Sequence, residues 1–131
     1  MRASVTYVGV RRRALAEPAP GTLEVFVEDE NGRRRRLRHV VHHSPTGMEA
    51  SYAGSGPSDL ALSMLVDLLH ERPVRSGGRV KGERYVRAWG LHQEFKRDFI
   101  QGLPVEGWRL ATRDIAAWIA RKEEGRDQSS G

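Results

Sequence analysis

The chain contains no cysteine. That excludes disulfides, thiolate metal sites and cysteine nucleophiles, and it fits a cytoplasmic setting. No run of 18 apolar residues exists and no apolar stretch near Met1 resembles an export signal, so neither membrane spanning nor secretion is expected. Acidic residues are short as well, with 17 against 22 lysines and arginines in 131 residues. The resulting charge of +5 points to an anionic partner. What remains is long enough for one domain with a core that needs no staple.

The basic excess is local. Residues 1–47 carry a net +4, 48–70 a net −3, 71–88 a net +4, and 89–131 balance. The first half reads as strands: "SVTYVGV" and "TLEVFVED" alternate apolar with polar residues and are separated by "EPAPG". Asn31-Gly32 then signals a hairpin into "RRRRLRHVV". A three-residue loop with Gly32 left-handed sets Val25 opposite Leu37, which keeps Leu23, Val25, Val27, Leu37 and Val41 on one face. In that hairpin Glu28, Asp29 and Glu30 face Arg33, Arg34, Arg35 and Arg36, so the arginine run reads first as self-paired and second as an anion-binding patch. "MEASY" reads as a further short strand, 58–70 as a helix buried on most sides, and 71–88 as a long mobile loop. A helix over 91–102, an extended link "GWRL" and a last helix capped by Thr112 complete the domain. The expected organisation is one α+β domain over 1–122, an antiparallel meander with three helices packed on one face, and a disordered tail over 123–131.

The segment "YAGSGPSDLALSML" raises the question of a phosphate loop. Gly54, Ser55 and Gly56 precede a helix, but no lysine follows at the required spacing. Pro57 suits the first helical position, which would make Asp59 the third. A carboxylate there complements the helix dipole, worth about 0.3–1 kcal/mol, and repels a phosphate. Structural helix initiation therefore ranks first, ahead of a neutral-ligand or partner contact and of an anionic ligand. "HSPTGMEASYAGSGPSDLALSML", with "FKRDFI" and "DIAAWI" later, resembles a family of small proteins of unknown function from bacteria and their phages. The resemblance spans residues 37–119 and departs from the family pattern at Ala50 and Ala53. It implies no activity, and its phage association implies host-directed binding.

Other groupings are weaker. On a strand His39 and His43 would share a face and His42 would point away, so no metal site is expected and no cofactor is assigned. His39 reads as a hydrogen-bonded core or rim histidine. Asp59, Ser63, Asp67 and His70 form one line on the helix, read as its solvent stripe rather than as acid–base machinery. Trp89, Trp108 and Trp118 read as packing residues. The leading expectation is a non-catalytic binding module, an inhibitor of a host nucleic-acid-handling or defence complex, docking a protein or nucleoprotein with an acidic surface. Direct nucleic-acid binding is the alternative, and a small enzyme using Asp59, Asp67 and His70 is third. The preferred contacts are Arg75, Arg79, Lys81 and Arg84, with Arg33 to Arg36 second, because the loop arginines have no partner strand.

Overall fold

Alternation of side chains along two β-branched segments builds the sheet. The computed structural model describes residues 5–12, 21–72 and 85–130. Strands β1 (Thr6–Arg12), β2 (Thr22–Glu28), β3 (Arg34–Arg36) and β4 (Gly107–Ala111) lie in the order β3-β2-β1-β4, all pairs antiparallel. Together with three helices they make an α+β fold. The β2–β3 hairpin has the expected register. Gly32 is left-handed (φ 81°), Glu28 pairs with Arg34, and the Leu37 amide donates to the Val25 carbonyl at 2.9 Å.

Tyr7, Leu23, Val25, Val27, Leu37 and Trp108 project from the inner face into the core. Val40, not Val41, is the next apolar residue buried. The strand ends at Arg36, and period-two alternation does not extend beyond it. Gly9, in the middle of β1, sits directly opposite Trp108. A Cβ there would collide with the indole ring, so the glycine makes the slot that lets a tryptophan lie flat on the sheet.

Helix α1 (Ser55–Leu69) lies against this face, with Leu60, Leu62, Met64, Leu65 and Leu68 completely buried. Helix α2 (Val86–Phe95) packs on α1 and continues into a π-helical turn, Lys96–Ile100. Helix α3 (Thr112–Ser130) meets it through Trp118, whose ring centroid is 5.5 Å from that of Phe95 and whose indole N–H donates to Asp98 at 2.7 Å.

Several boundaries differ from the sequence reading. The "GWRL" link is the fourth strand: Trp108 and Leu110 need an inner face, and β1 offers it a free edge. "MEASY" forms no strand: the Glu49 carboxylate pairs with Arg11 of β1, and the Glu49 stem and Tyr52 ring pack against Gly56 and Gly54 at the start of α1. Helix α1 begins three residues before 58, and Val86–Ala88 belong to α2 rather than to a loop. Both oxygens of Glu71 accept from the first turn of α2, from the Arg87 and Ala88 amides at 2.8 Å each, which supplies the missing N-cap. The residues expected as a disordered tail continue α3 to Ser130. No described helix is long and apolar enough to cross a membrane.

Candidate functional site

Two polar systems stand out. The first is the line Asp59, Ser63, Asp67 on α1, spaced so that the three share one helix face. It is not a solvent stripe. Asp59 is fully buried, and its carboxylate accepts from the amides of His43 (2.7 Å), Ser44 (3.0 Å) and His42 (3.2 Å) and from His39 Nε2 (2.7 Å). Ser63 Oγ accepts from the Val40 amide at 2.8 Å, and Asp67 accepts from Tyr7 Oη at 2.7 Å and from Arg35. The helix thus carries a ladder of acceptors onto which residues 35–44 and β1 are laid. Burial alone would raise the Asp59 carboxyl, but His39 and the three amides outweigh it and hold it below the ordinary value.

This overturns the dipole reading of Asp59. Gly54 is the N-cap and Ser55 opens the helix, so Pro57 is the third helical residue and Asp59 lies in the second turn. No acidic residue occupies the first turn. The catalytic reading of Asp59, Asp67 and His70 gains nothing either. The two carboxylates engage the protein's own donors, while His70 is the exposed left-handed C-cap of α1 (φ 52°), its amide bonded to the Asp67 carbonyl.

The ordered loop brings the histidines of "HHSPTG" against α2. His43 stacks on Trp89 (5.7 Å, 11°) and His42 meets Trp89 edge-on (4.5 Å, 80°). His92 Nδ1 lies 2.7 Å from the Trp89 carbonyl and must donate to it, so its Nε2 accepts from His43 Nε2 at 3.0 Å. Desolvation, then neighbouring His42 and Lys96, lowers the His43 pKa; His92 is lowered by desolvation and by the same neighbours together with His43. Among the described residues no cluster of three or more His, Asp or Glu is arranged to hold a metal ion. His92 gave no sequence signal beyond its three-residue spacing from Trp89.

The second system is the outer face of the sheet. Strand alternation splits the arginine run, placing Arg34 and Arg36 on the outer face and Arg35 on the inner one, where it pairs with Asp67, while Arg33 lies in the turn before the strand. Arg12 from β1 and Arg109 from β4 join Arg34 and Arg36, so all four strands contribute a residue once β2 supplies the acids. Glu24 bridges Arg12 (2.8 Å) and Arg36 (3.2 Å); Glu28 bridges Arg34 (3.0 Å) and Arg109. The self-pairing expected of the hairpin is therefore correct for Glu28 and not for the other two acids. Asp29 instead closes the turn, its Oδ1 accepting from the Asn31 and Arg33 amides at 2.9 Å each, and Glu30 is exposed at the tip. Phe26, on β2, lies under two guanidinium groups, 5.7 Å from Arg34 and 5.5 Å from Arg36. The Glu24 carboxyl is held low first by its hydrogen bond to Arg12, and Glu28 by that to Arg109.

Four guanidinium groups against two carboxylates leave two positive charges in excess on this face. The arginine side chains stay open, from 41% exposed for Arg34 to 69% for Arg12 and Arg36. Arg75, Arg79, Lys81 and Arg84, the contacts preferred from sequence, lie outside the described residues.

The acceptor ladder joins the two segments that the sequence singles out, "HHSPTG" and "GSGPSDLAL". Both fall within residues 7–77, which match the model of a family of unknown function, DUF6166. The chain belongs to that family. The match runs from β1 past the end of α1 and includes every residue of the ladder. No curated protein and no solved structure matches the chain.

Proposed function

We propose that this DUF6166 member is a non-catalytic binding module that docks an acidic protein surface on the outer face of its sheet. One observation carries the reading. Arg12, Arg34, Arg36 and Arg109 converge from three strands on a face that no described helix covers, preorganised by Glu24 and Glu28 and still carrying excess charge. Guanidinium groups held in place lose less freedom on meeting a carboxylate than free ones do.

An acidic protein fits better than bare nucleic acid. Sheets that bind single strands offer free aromatic faces for bases to stack on, whereas Phe26 is already covered by two guanidinium groups. The idea of an inhibitor of a host complex rests on the family resemblance and not on this geometry.

Affinity capture from a lysate of the source cell, with and without nuclease, tests the reading. Partner capture should survive nuclease, be lost in Arg34→Ser/Arg36→Ser, and persist in Arg33→Ser/Arg35→Ser. Oligonucleotide binding that falls steeply with salt would instead return the nucleic-acid reading. Equal losses in the two double variants would remove the outer face from the account.

A further inference from the structure

The two edges of the sheet are unlike. One is β3, three residues long and all arginine, short and charged in the way that discourages further pairing. The other is β4, five residues long, of which Arg109 alone is charged. Among the described residues β4 pairs with β1 and with no second strand.

The register shows which backbone groups β4 leaves over. The Thr112 amide donates to the Val5 carbonyl at 3.1 Å, and the Arg11 amide donates to the Glu106 carbonyl at 3.3 Å. Bonded pairs in an antiparallel ladder recur at every second residue. Between those two bonds, therefore, Trp108 and Leu110 turn their amides and carbonyls to β1. The amides of Gly107, Arg109 and Ala111, with the carbonyls of Gly107 and Arg109, point away from β1 toward the open edge. Side chains sort along the same edge. Arg109 lies on the outer face, in one row with Val8, Phe26 and Arg36, and its side chain is 57% exposed. Trp108 and Leu110 lie on the inner face and pack against the core.

We infer that β4 takes up an extended acidic segment of the partner as a fifth, antiparallel strand, in which acidic residues alternate with apolar ones. This rests on the acidic-partner reading above and adds how the partner is held. The residue set opposite Arg109 bonds to its free amide and carbonyl, and its side chain falls on the outer face beside the guanidinium. A carboxylate there makes an opposite-charge cross-strand pair, on a face with positive charge in excess. The residues before and after it point to the inner face beside Trp108 and Leu110, which selects apolar side chains. Backbone bonds supply affinity and the alternating side chains supply selection. A second copy of the chain fits this edge badly, because antiparallel pairing of two β4 strands brings two Arg109 side chains onto one face.

NMR titration of the full chain with an eight-residue peptide of alternating glutamate and valine tests this, with alternating lysine and valine as the comparator. The acidic peptide should shift the amides of Gly107, Arg109 and Ala111 saturably and slow their hydrogen exchange. In an antiparallel pair the glutamate amides face β4 and the valine amides face away. N-methylating the glutamates should therefore weaken binding roughly tenfold or more, the share of two hydrogen bonds, and N-methylating the valines should leave it nearly unchanged. Arg109→Glu should reverse the preference toward the lysine peptide; should that variant unfold, the methylated peptides decide. The inference fails if the two methylated peptides bind alike, if the lysine peptide binds the wild type as tightly, or if the same amides respond to protein concentration without peptide, which would give the edge to a second copy. Arg34→Ser/Arg36→Ser separates this inference from the reading it rests on. Partner capture lost there, with the methylated peptides binding alike, would sink the fifth strand and leave the docking face. Capture unchanged there, with the methylated peptides differing, would sustain the fifth strand and remove the docking face.

Discussion

Asp59 shows what a single residue can do once its surroundings are known. As a residue near the start of a helix it would complement the dipole, an effect of about 0.3–1 kcal/mol. As a fully buried carboxylate accepting three amides and an imidazole, it organises the whole His42–Ser44 turn. Removing it strands those donors in the interior. Asp59→Ala should therefore destabilise the protein by about 3–5 kcal/mol, the range for breaking a buried, hydrogen-bonded charge. Urea unfolding measures the loss, and amide exchange should show His43 and Ser44 deprotected first. A loss below about 1 kcal/mol would mean that the Asp59 hydrogen bonds do not hold the turn in place. The aspartate itself was legible in the sequence, and so was its helix face. Its burial was not, because the Asp59–Ser63–Asp67 spacing is the same for a face turned to water and for one covered by another stretch of chain.

At the scale of elements, periodicity served where elements were long and regular. The β2–β3 register was readable because Gly32 and the run Leu23, Val25, Val27 each demanded it. β4 was missed because five residues with two apolar positions carry too little pattern to distinguish a strand from a link. The contact between the "HHSPTG" loop and α2 was invisible for another reason: His43 and His92 are far apart in the chain and meet only in three dimensions. That contact has a pH signature. Both histidines titrate below the ordinary 6.5 in the folded state. The unfolded chain therefore binds more protons as pH falls through about 6.5, and stability declines there before levelling off below the folded values. Asp59, lowered from its ordinary 3.8, adds a separate loss only below that value. Thermal melts should show Tm falling between about pH 7 and 5.5, with a shallower fall in His92→Gln. An unchanged slope in that variant would mean that the pair does not titrate with unfolding.

For the molecule as a whole, the charge asymmetry of the sequence did survive as a basic surface, but in altered form. The four consecutive arginines are parted, Arg33 in the turn and Arg35 on the face opposite Arg34 and Arg36, and arginines distant in the chain, Arg12 and Arg109, take their place beside the latter two. Net charge counts the side chains and says nothing of this sorting, which only strand pairing performs. The same pairing sets the limits of what folds as a unit. β1 is a central strand, flanked by β2 and by β4 from the far end of the chain, and Trp108 fills the slot above Gly9. The family match stops at residue 77, before α2 and β4. A chain ended at 77 should lack cooperative unfolding and dispersed amide signals, and it should aggregate through the open β1 edge; a monomeric, cooperatively melting fragment would contradict that.

The position of β4 also bears on how the protein is made. Thr6 pairs with Ala111, so β1 leaves the ribosome about a hundred residues before its second neighbour exists. At about 5–20 residues per second, that strand waits on the order of 5–20 s with one edge bare. The nascent chain is thus a natural client for a ribosome-associated chaperone, and slowing translation ahead of residue 107 should lower the soluble yield without changing the finished protein.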